Sequence, residues 1–231
     1  MTEVPTDAIP VLDHGFVRLD GALASDLSVV NAARVSFGRR KEVMDESDEG
    51  LIRFLMRDRH GTPFEHNAFR FHVRCPIFVA REWFRHRVGS FNEFSLRYAR
   101  ATDDFYVPEA DDVRSQVGKP GAYSFEPVAA ELAEETRQEL EAVYAAAYET
   151  YERLVENGVA RELARAVLPV GAYTEFYWTV NARALMNFVS LRAAETAQRE
   201  IRRYAEAVER VFAERMPVTH AAFVANGRVA P

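Results

Sequence analysis

The stretch "AFRFHVRCPIFVAREWF", residues 68 to 84, decides the fold class. Phe69, Phe71, Val73 and Cys75 alternate with Arg70, His72 and Arg74, the period of a half-buried strand. Pro76 then ends the pairing and suits the first turn of a helix, which runs on through Ile77, Phe78, Ala80, Trp83 and Phe84. Strand and helix therefore adjoin here with only a proline between them.

Working towards the start of the chain, residues 60 to 66, "HGTPFEH", read as a turn. Before it a helix capped by Ser47 runs through Leu51, Ile52 and Leu55 to about Arg59. An earlier helix begins near Ser25 and stops at Gly38, and Phe16 to Leu19 suggest a strand. Towards the other end, Pro127 to Asn157 carry the strongest helical signal, with Leu132, Leu140, Tyr144, Tyr148, Tyr151 and Val155 near one face and Gly158 as the stop. "ARELARAVLP" (160 to 169) is a short helix and "YTEFYWTV" (173 to 180) a strand. Asn181 caps a helix through Leu185, Phe188 and Leu191, and a last helix spans about Gln198 to Arg215, before Pro217. Strands and helices follow in mixed order without βαβ alternation. The class expected is α+β, a mixed or antiparallel sheet packed by long helices and not a Rossmann fold. With no repeat and no glycine-serine linker, residues 1 to 231 read as one domain.

The composition, 48% hydrophobic and 28% charged, is that of a globular chain. No apolar run approaches the roughly 20 residues that cross a bilayer, and the first residues lack a basic, apolar leader, so no membrane partner is expected and the cytoplasm is. Cys75 is the single cysteine, cannot form an internal disulfide, and reads as a small core residue. The net charge of −6 argues against a general nucleic-acid binder. Basic residues are nonetheless lopsided, 27 arginines against Lys41 and Lys119, and clustered guanidiniums match phosphates and carboxylates.

Two clusters carry chemistry. "RHRVGSFNEFSLRY" (85 to 98) sets Arg85, His86 and Arg87 ahead of a loop presenting Ser90, Asn92, Glu93, Ser95 and Arg97; Arg85 shares a helix side with Arg81 and Glu82. It reads either as a solvated basic corner or as a binding floor for an anion. "TVNARALMNFVSLR" (179 to 192) puts Arg183 and Asn187 on one helix face between Asn181 and Arg192. Singly, Asn181 is a cap and Arg192 an answer to the helix dipole; together they suit a ligand with many acceptors. Arg161 and Arg165 are four apart and face either Glu156 and Glu162 or a ligand. His60, His66 and His72 match neither HExxH nor a zinc-finger spacing, and neither Ser90 nor Ser95 stands in GxSxG. GxGxxG and GxxxxGK[ST] are both missing, so a nucleotide would be held in another way.

Arg85-His86-Arg87, then seven residues, then Ser95 resembles the RHRx7S signature of the flavin-dependent thymidylate synthases. "AARVSF" (32 to 37), "HGTPFEH", "PIFVAREWFRHR" (76 to 87), "LPVGAYTEFYWTVNARALMNF" (168 to 188) and "LRA" (191 to 193) also look like family segments, in the family order. The resemblance implies a homotetramer with active sites shared between subunits, making thymidylate from dUMP with 5,10-methylenetetrahydrofolate as carbon donor and FAD reduced by NADPH. By position it implies flavin contacts at Ser36, Thr62, Glu65, Arg85, His86, Arg87, Asn92, Glu93, Asn181, Arg183 and Asn187. It implies nucleotide contacts at Glu82, Arg85, Glu93, Ser95, Arg97, Arg165 and Arg192, and places His60 near flavin and folate. Arg192 is the expected stabiliser of charge on the uracil ring, as in an oxyanion hole. Cys75 lies outside every matching motif, so no covalent cysteine step is expected.

Two positions depart from the family pattern. Glu82 stands where glutamine is usual, and its charge would repel a phosphate unless Arg81, Arg85 or a proton compensates. Thr196 stands where a flavin-contacting histidine is frequent. A flavoprotein that had drifted into a reductase or NADPH oxidase is the competing enzyme reading, and an RNA-binding module the non-enzymatic one.

Overall fold

The computed structural model describes residues 4–119 and 122–231. Its strands are β1 (Ile9–Val11), β2 (Gly15–Leu23), β3 (Ala68–Pro76), β4 (Ser90–Glu93), β5 (Arg114–Lys119), β6 (Ala122–Pro127) and β7 (Tyr173–Asn181). Five of them make one antiparallel sheet in the order β1-β2-β3-β7-β4, while β5 and β6 pair as a separate hairpin. The α+β class expected from the strand-to-helix stretch is the one found.

The register between β3 and β7 explains the alternation read at residues 69 to 75. Phe69 faces Val180, Phe71 faces Trp178 and Val73 faces Phe176, all buried, while His72 faces Tyr177 on the opposite side. The helices are α1 (Asp26–Arg34), α2 (Glu46–Arg57), α3 (Thr62–Glu65), α4 (Ile77–Trp83), α5 (Ala130–Glu156), α6 (Arg161–Ala164), α7 (Ala182–Arg192), α8 (Arg199–Arg215) and α9 (Pro217–Ala225). Helix α8 buries Ile201, Tyr204, Ala205, Val208, Val211 and Phe212, the repeat of a single apolar stripe. Trp83 is the hub of the core: its ring lies 4.7 Å from Phe188 on α7 and 5.3 Å from both Phe176 and Trp178 on β7. Aromatic packing thus ties the end of α4 to β7 and α7, the elements that carry both arginine clusters. Cys75 is fully buried in this core, and burial pushes its thiol pKa well up.

Several expectations need correction. Helix α2 is capped by Asp45 and not Ser47, because Asp45 accepts the Ser47 amide while the Asp48 carboxylate returns to the Asp45 amide, a capping box. "HGTPFEH" contains the single helical turn α3. Ser90 to Glu93 form an edge strand and not a loop. Helix α5 starts at Ala130, since Ala122 to Pro127 belong to the hairpin. Of its expected face, Tyr151 is buried beside Ala101 and Ala164, but Leu132 is half exposed. Pro217 opens α9 instead of closing the helical region, as a residue without an N–H can at a first helical turn. Among the described residues no helix is long and apolar enough to cross a membrane.

Candidate active site

The loop after α4, the end of β7 and one face of α7 enclose a cavity of about 950 Å³. Arg85, His86 and Arg87 reach it from the loop, Asn181, Arg183, Asn187 and Arg192 from β7 and α7, and Glu65 from α3. Asn181 is the expected cap, its Oδ1 accepting the Ala184 amide at 2.9 Å at the start of α7, and it also lines the wall. Arg183 and Asn187 follow four apart on the exposed face that this cap sets.

Arg192 is held by three bonds. Its Nε donates to His86 Nε2 (3.0 Å), Nη1 to Glu82 Oε2 (2.8 Å) and Nη2 to the Glu82 carbonyl (3.2 Å). Glu82 itself does not line the cavity, and the charge compensation left open in the sequence comes chiefly from Arg192. Burial nevertheless raises the Glu82 carboxyl pKa, against the pull of Arg192. An acceptor role at Nε2 leaves the His86 proton on Nδ1, so the imidazole is neutral. Burial first, and the Arg192 charge second, lower its pKa to about 4.

This has a consequence in acid. The unfolded chain protonates His86 near the ordinary 6.5, whereas the folded chain refuses that proton down to about 4. Between those values the unfolded state binds more protons, so stability rises with pH and is lost as the solution is acidified through the window. Denaturation midpoints measured across it should fall towards low pH. His86→Gln, which retains an acceptor for Arg192, should flatten that fall; an unchanged slope in the variant would assign the titration to another group.

The remaining anticipated residues stand away from the cavity wall. Ser36 is exposed in a 3₁₀ turn (Val35–Phe37), and Thr62 is exposed at the start of α3. His60 is exposed and lies edge-on to Phe54, with ring centroids 5.3 Å apart. On β4, Asn92 is exposed and Glu93 accepts from the Thr174 hydroxyl at 2.8 Å. Arg97 and Arg165 meet elsewhere, at Glu162: Arg97 Nε donates to its carboxylate at 3.1 Å and Arg165 Nε to its carbonyl at 3.3 Å, while Ser95 Oγ accepts the Arg97 amide at 3.3 Å. Arg85, Arg97 and Arg192 thus do not share one cavity within a single chain. No group of three or more His, Cys, Asp or Glu among the described residues is placed to hold a metal ion.

Other wall residues carried no signal in the sequence. Trp178 lines the cavity with its Nε1 buried and unpartnered, and Gly89 leaves room beside it, since a Cβ there would come within 2.9 Å of that nitrogen. Ala230 and Pro231 lie far from any motif yet form part of the wall.

Comparison with known proteins agrees with this architecture. The family model described as thymidylate synthase complementing protein matches residues 19–218. A flavin-dependent thymidylate synthase of Thermosipho melanesiensis is 49% identical over 217 residues, covering 93% of this chain and 92% of the relative. One from Streptomyces coelicolor is 46% identical and covers all of both chains. Among solved structures, a UMP/dUMP methylase, PolB from Streptomyces cacaoi bound with 5-Br UMP, superposes with a TM-score of 0.88 at 46% identity, covering 96% of this chain and 99% of that one. With its sheet order, its arginine-lined cavity and matches across nearly its whole length, this chain belongs to the flavin-dependent thymidylate synthase family.

Proposed function

We propose that this chain is an FAD-dependent methyltransferase that converts dUMP to dTMP, with 5,10-methylenetetrahydrofolate as carbon donor and NADPH as the source of reducing equivalents. The observation that carries the reading is the cavity wall, where Arg85, Arg87, Arg183 and Arg192 stand with the amides of Asn181 and Asn187. Four guanidiniums and two amides suit a ligand of many acceptors and negative charge. The donor set and the volume fit a flavin dinucleotide, and the unpartnered Trp178 Nε1 adds one more donor. Bound FAD supplies hydride transfer.

The chain's own residues bind and orient. Carbon 5 of uracil is a weak nucleophile until negative charge develops on the ring, and a guanidinium fixed beside the carbonyl oxygens stabilises that charge. Arg192 is our candidate, aligned by His86 and Glu82. Arg97 and Arg165 form a second basic cluster at Glu162, with Ser95 bonded to the Arg97 amide. In a homotetramer this cluster from one protomer completes the cavity of another and takes the nucleotide phosphate. Ser36, His60, Thr62, Asn92 and Glu93 complete the flavin and folate surroundings in the same assembly. The cytoplasm suits a chain whose one cysteine is a buried free thiol.

Cys75 supports a mechanism without a covalent thiol, because a nucleophile must be an accessible thiolate and this one is buried and held protonated. Cys75→Ala should keep turnover within about twofold of the parent. Loss of all thymidylate formation in a folded variant would restore the thiol to the mechanism.

The reading is tested by incubating the protein with FAD, NADPH, methylenetetrahydrofolate and either dUMP or UMP, with product nucleotides separated by chromatography. Methylation of dUMP is expected. The UMP arm is included because the Streptomyces cacaoi neighbour is a UMP/dUMP methylase. NADPH oxidation without any methylated nucleotide would overturn the proposal in favour of a reductase.

A further inference from the structure

Part of the cavity wall comes from residues beyond the family match, which ends at residue 218. Pro231 is buried there, and its carbonyl accepts a hydrogen bond from Arg183 Nε at 2.6 Å. On the other side, Glu65 Oε1 accepts from Arg183 Nη1 at 2.6 Å. Gly61 supplies the floor: a Cβ at this position would lie 2.5 Å from Arg183 Nε and 2.6 Å from its Cζ. The Gly61 φ of −71° is open to any residue, so a side chain here would displace the guanidinium without straining the backbone.

The segment that brings Pro231 to this place is itself fastened. At the end of α9, Gly227 takes a φ of +69°, and the amides of Gly227 and Arg228 donate to Val224 and Phe223 in the manner of a Schellman motif. Arg228 Nη1 then donates to Glu209 Oε2 on α8 at 2.7 Å, and Asn226 Nδ2 donates to the Val229 carbonyl at 3.2 Å. The last residues are therefore led back over the cavity by specific bonds. Neither anchor of Arg183 uses Nη2.

From this geometry we infer that residues 226–231 and Gly61 belong to the cofactor site, as positioning residues that hold Arg183 as a preformed donor for an acceptor on FAD. The inference rests on the flavin reading of the cavity. A guanidinium oriented before the ligand arrives loses less side-chain freedom on binding, so its anchors act on affinity without touching the ligand.

The experiment is a double-mutant cycle read as the Kd for FAD from quenching of flavin fluorescence, with melting temperatures taken without FAD. Its members are Gly61→Ala, a chain ending at Arg228, Arg183→Ala, and each of the first two combined with Arg183→Ala. Gly61→Ala and the shortened chain should each weaken FAD binding by about tenfold. In the Arg183→Ala background neither should weaken it further, a non-additivity that simple destabilisation would not produce. Losses that add to that of Arg183→Ala overturn the proposal, as does tighter binding by the shortened chain, which would make the segment a competitor. Should the shortened chain fail to fold, Gly61→Ala decides alone. If Arg183→Ala binds FAD as tightly as the parent, the flavin reading of the cavity falls and takes this inference with it. If Arg183→Ala weakens binding while both other variants bind normally, only this inference falls.

Discussion

Arg192→Ala should lower kcat/KM for the nucleotide by about 10²–10³-fold, the usual cost of removing one donor aimed at developing negative charge. The guanidinium is half-buried and held by His86 and by two oxygens of Glu82, so it is oriented before substrate enters. Such preorganisation lets an interaction act in the transition state without reorganising at that moment. Arg192→Lys restores the charge but offers one point donor in place of a fork, and should recover only a small part of the rate. Glu82→Gln separates the electrostatics from the geometry. It retains an oxygen for Arg192 Nη1 while deleting a negative charge near the anionic substrate, so the KM for dUMP should fall by roughly fivefold, the worth of about one charge contact at high effective dielectric. Initial rates with saturating flavin, beside the melting temperature of each variant, measure both effects. Full turnover by Arg192→Ala would remove the residue from the reaction and leave it as a partner that neutralises Glu82.

How far the sequence discloses this arrangement depends on where each contact lies along the chain. Local patterns are legible. The period of two holds over residues 69 to 73, where β3 and β7 bury the same side chains, and breaks at Arg74, which is buried too; the Asn181 cap is legible because its donor is three residues away. Strand β4 escapes notice since it is an edge, paired on one side only, with Phe91 as its one partly buried side chain. The β5–β6 hairpin leaves nearly every residue exposed, so no core pattern marks it. In the site, the chemistry of Arg85, Arg183 and Arg192 shows in the motifs, but their partners do not. Arg192 meets Glu82 and His86 across 110 and 106 residues, and Arg183 meets Glu65 across 118. Thr196, which departs from the family pattern, lies exposed and outside the cavity wall.

Arg74→Met should cost about 3–5 kcal/mol of folding stability, the usual cost of breaking a buried ion pair by removing one partner. Arg74 on β3 is 3% exposed at its side chain and Asp104 is 4% exposed, so the pair is almost wholly removed from water. One guanidinium there donates to Asp104 Oδ2 and the His14 carbonyl, both at 2.5 Å, approaches Glu175 Oε1 at 3.3 Å and lies 4.8 Å from the centre of the Tyr173 ring. Methionine fills much of the volume but strips the guanidinium from a carboxylate that burial disfavours and Arg74 holds in its charged form. The consequence reaches the site through the chain, because Asp104 closes the loop that carries Ser95 and Arg97. The loop is pinned to the first residue of β7 by the Tyr173 amide on the Asp104 carbonyl at 3.1 Å, and to the segment before that strand by the Tyr106 amide on the Gly171 carbonyl at 2.9 Å. Adding Asp104→Leu to Arg74→Met should recover part of the lost stability, since the second substitution removes the buried carboxylate that Arg74 helps to hold charged. Chemical denaturation of the parent and both variants measures this. A loss under about 1 kcal/mol for Arg74→Met would show that water reaches the pair and that this loop is tied to the sheet by its backbone alone.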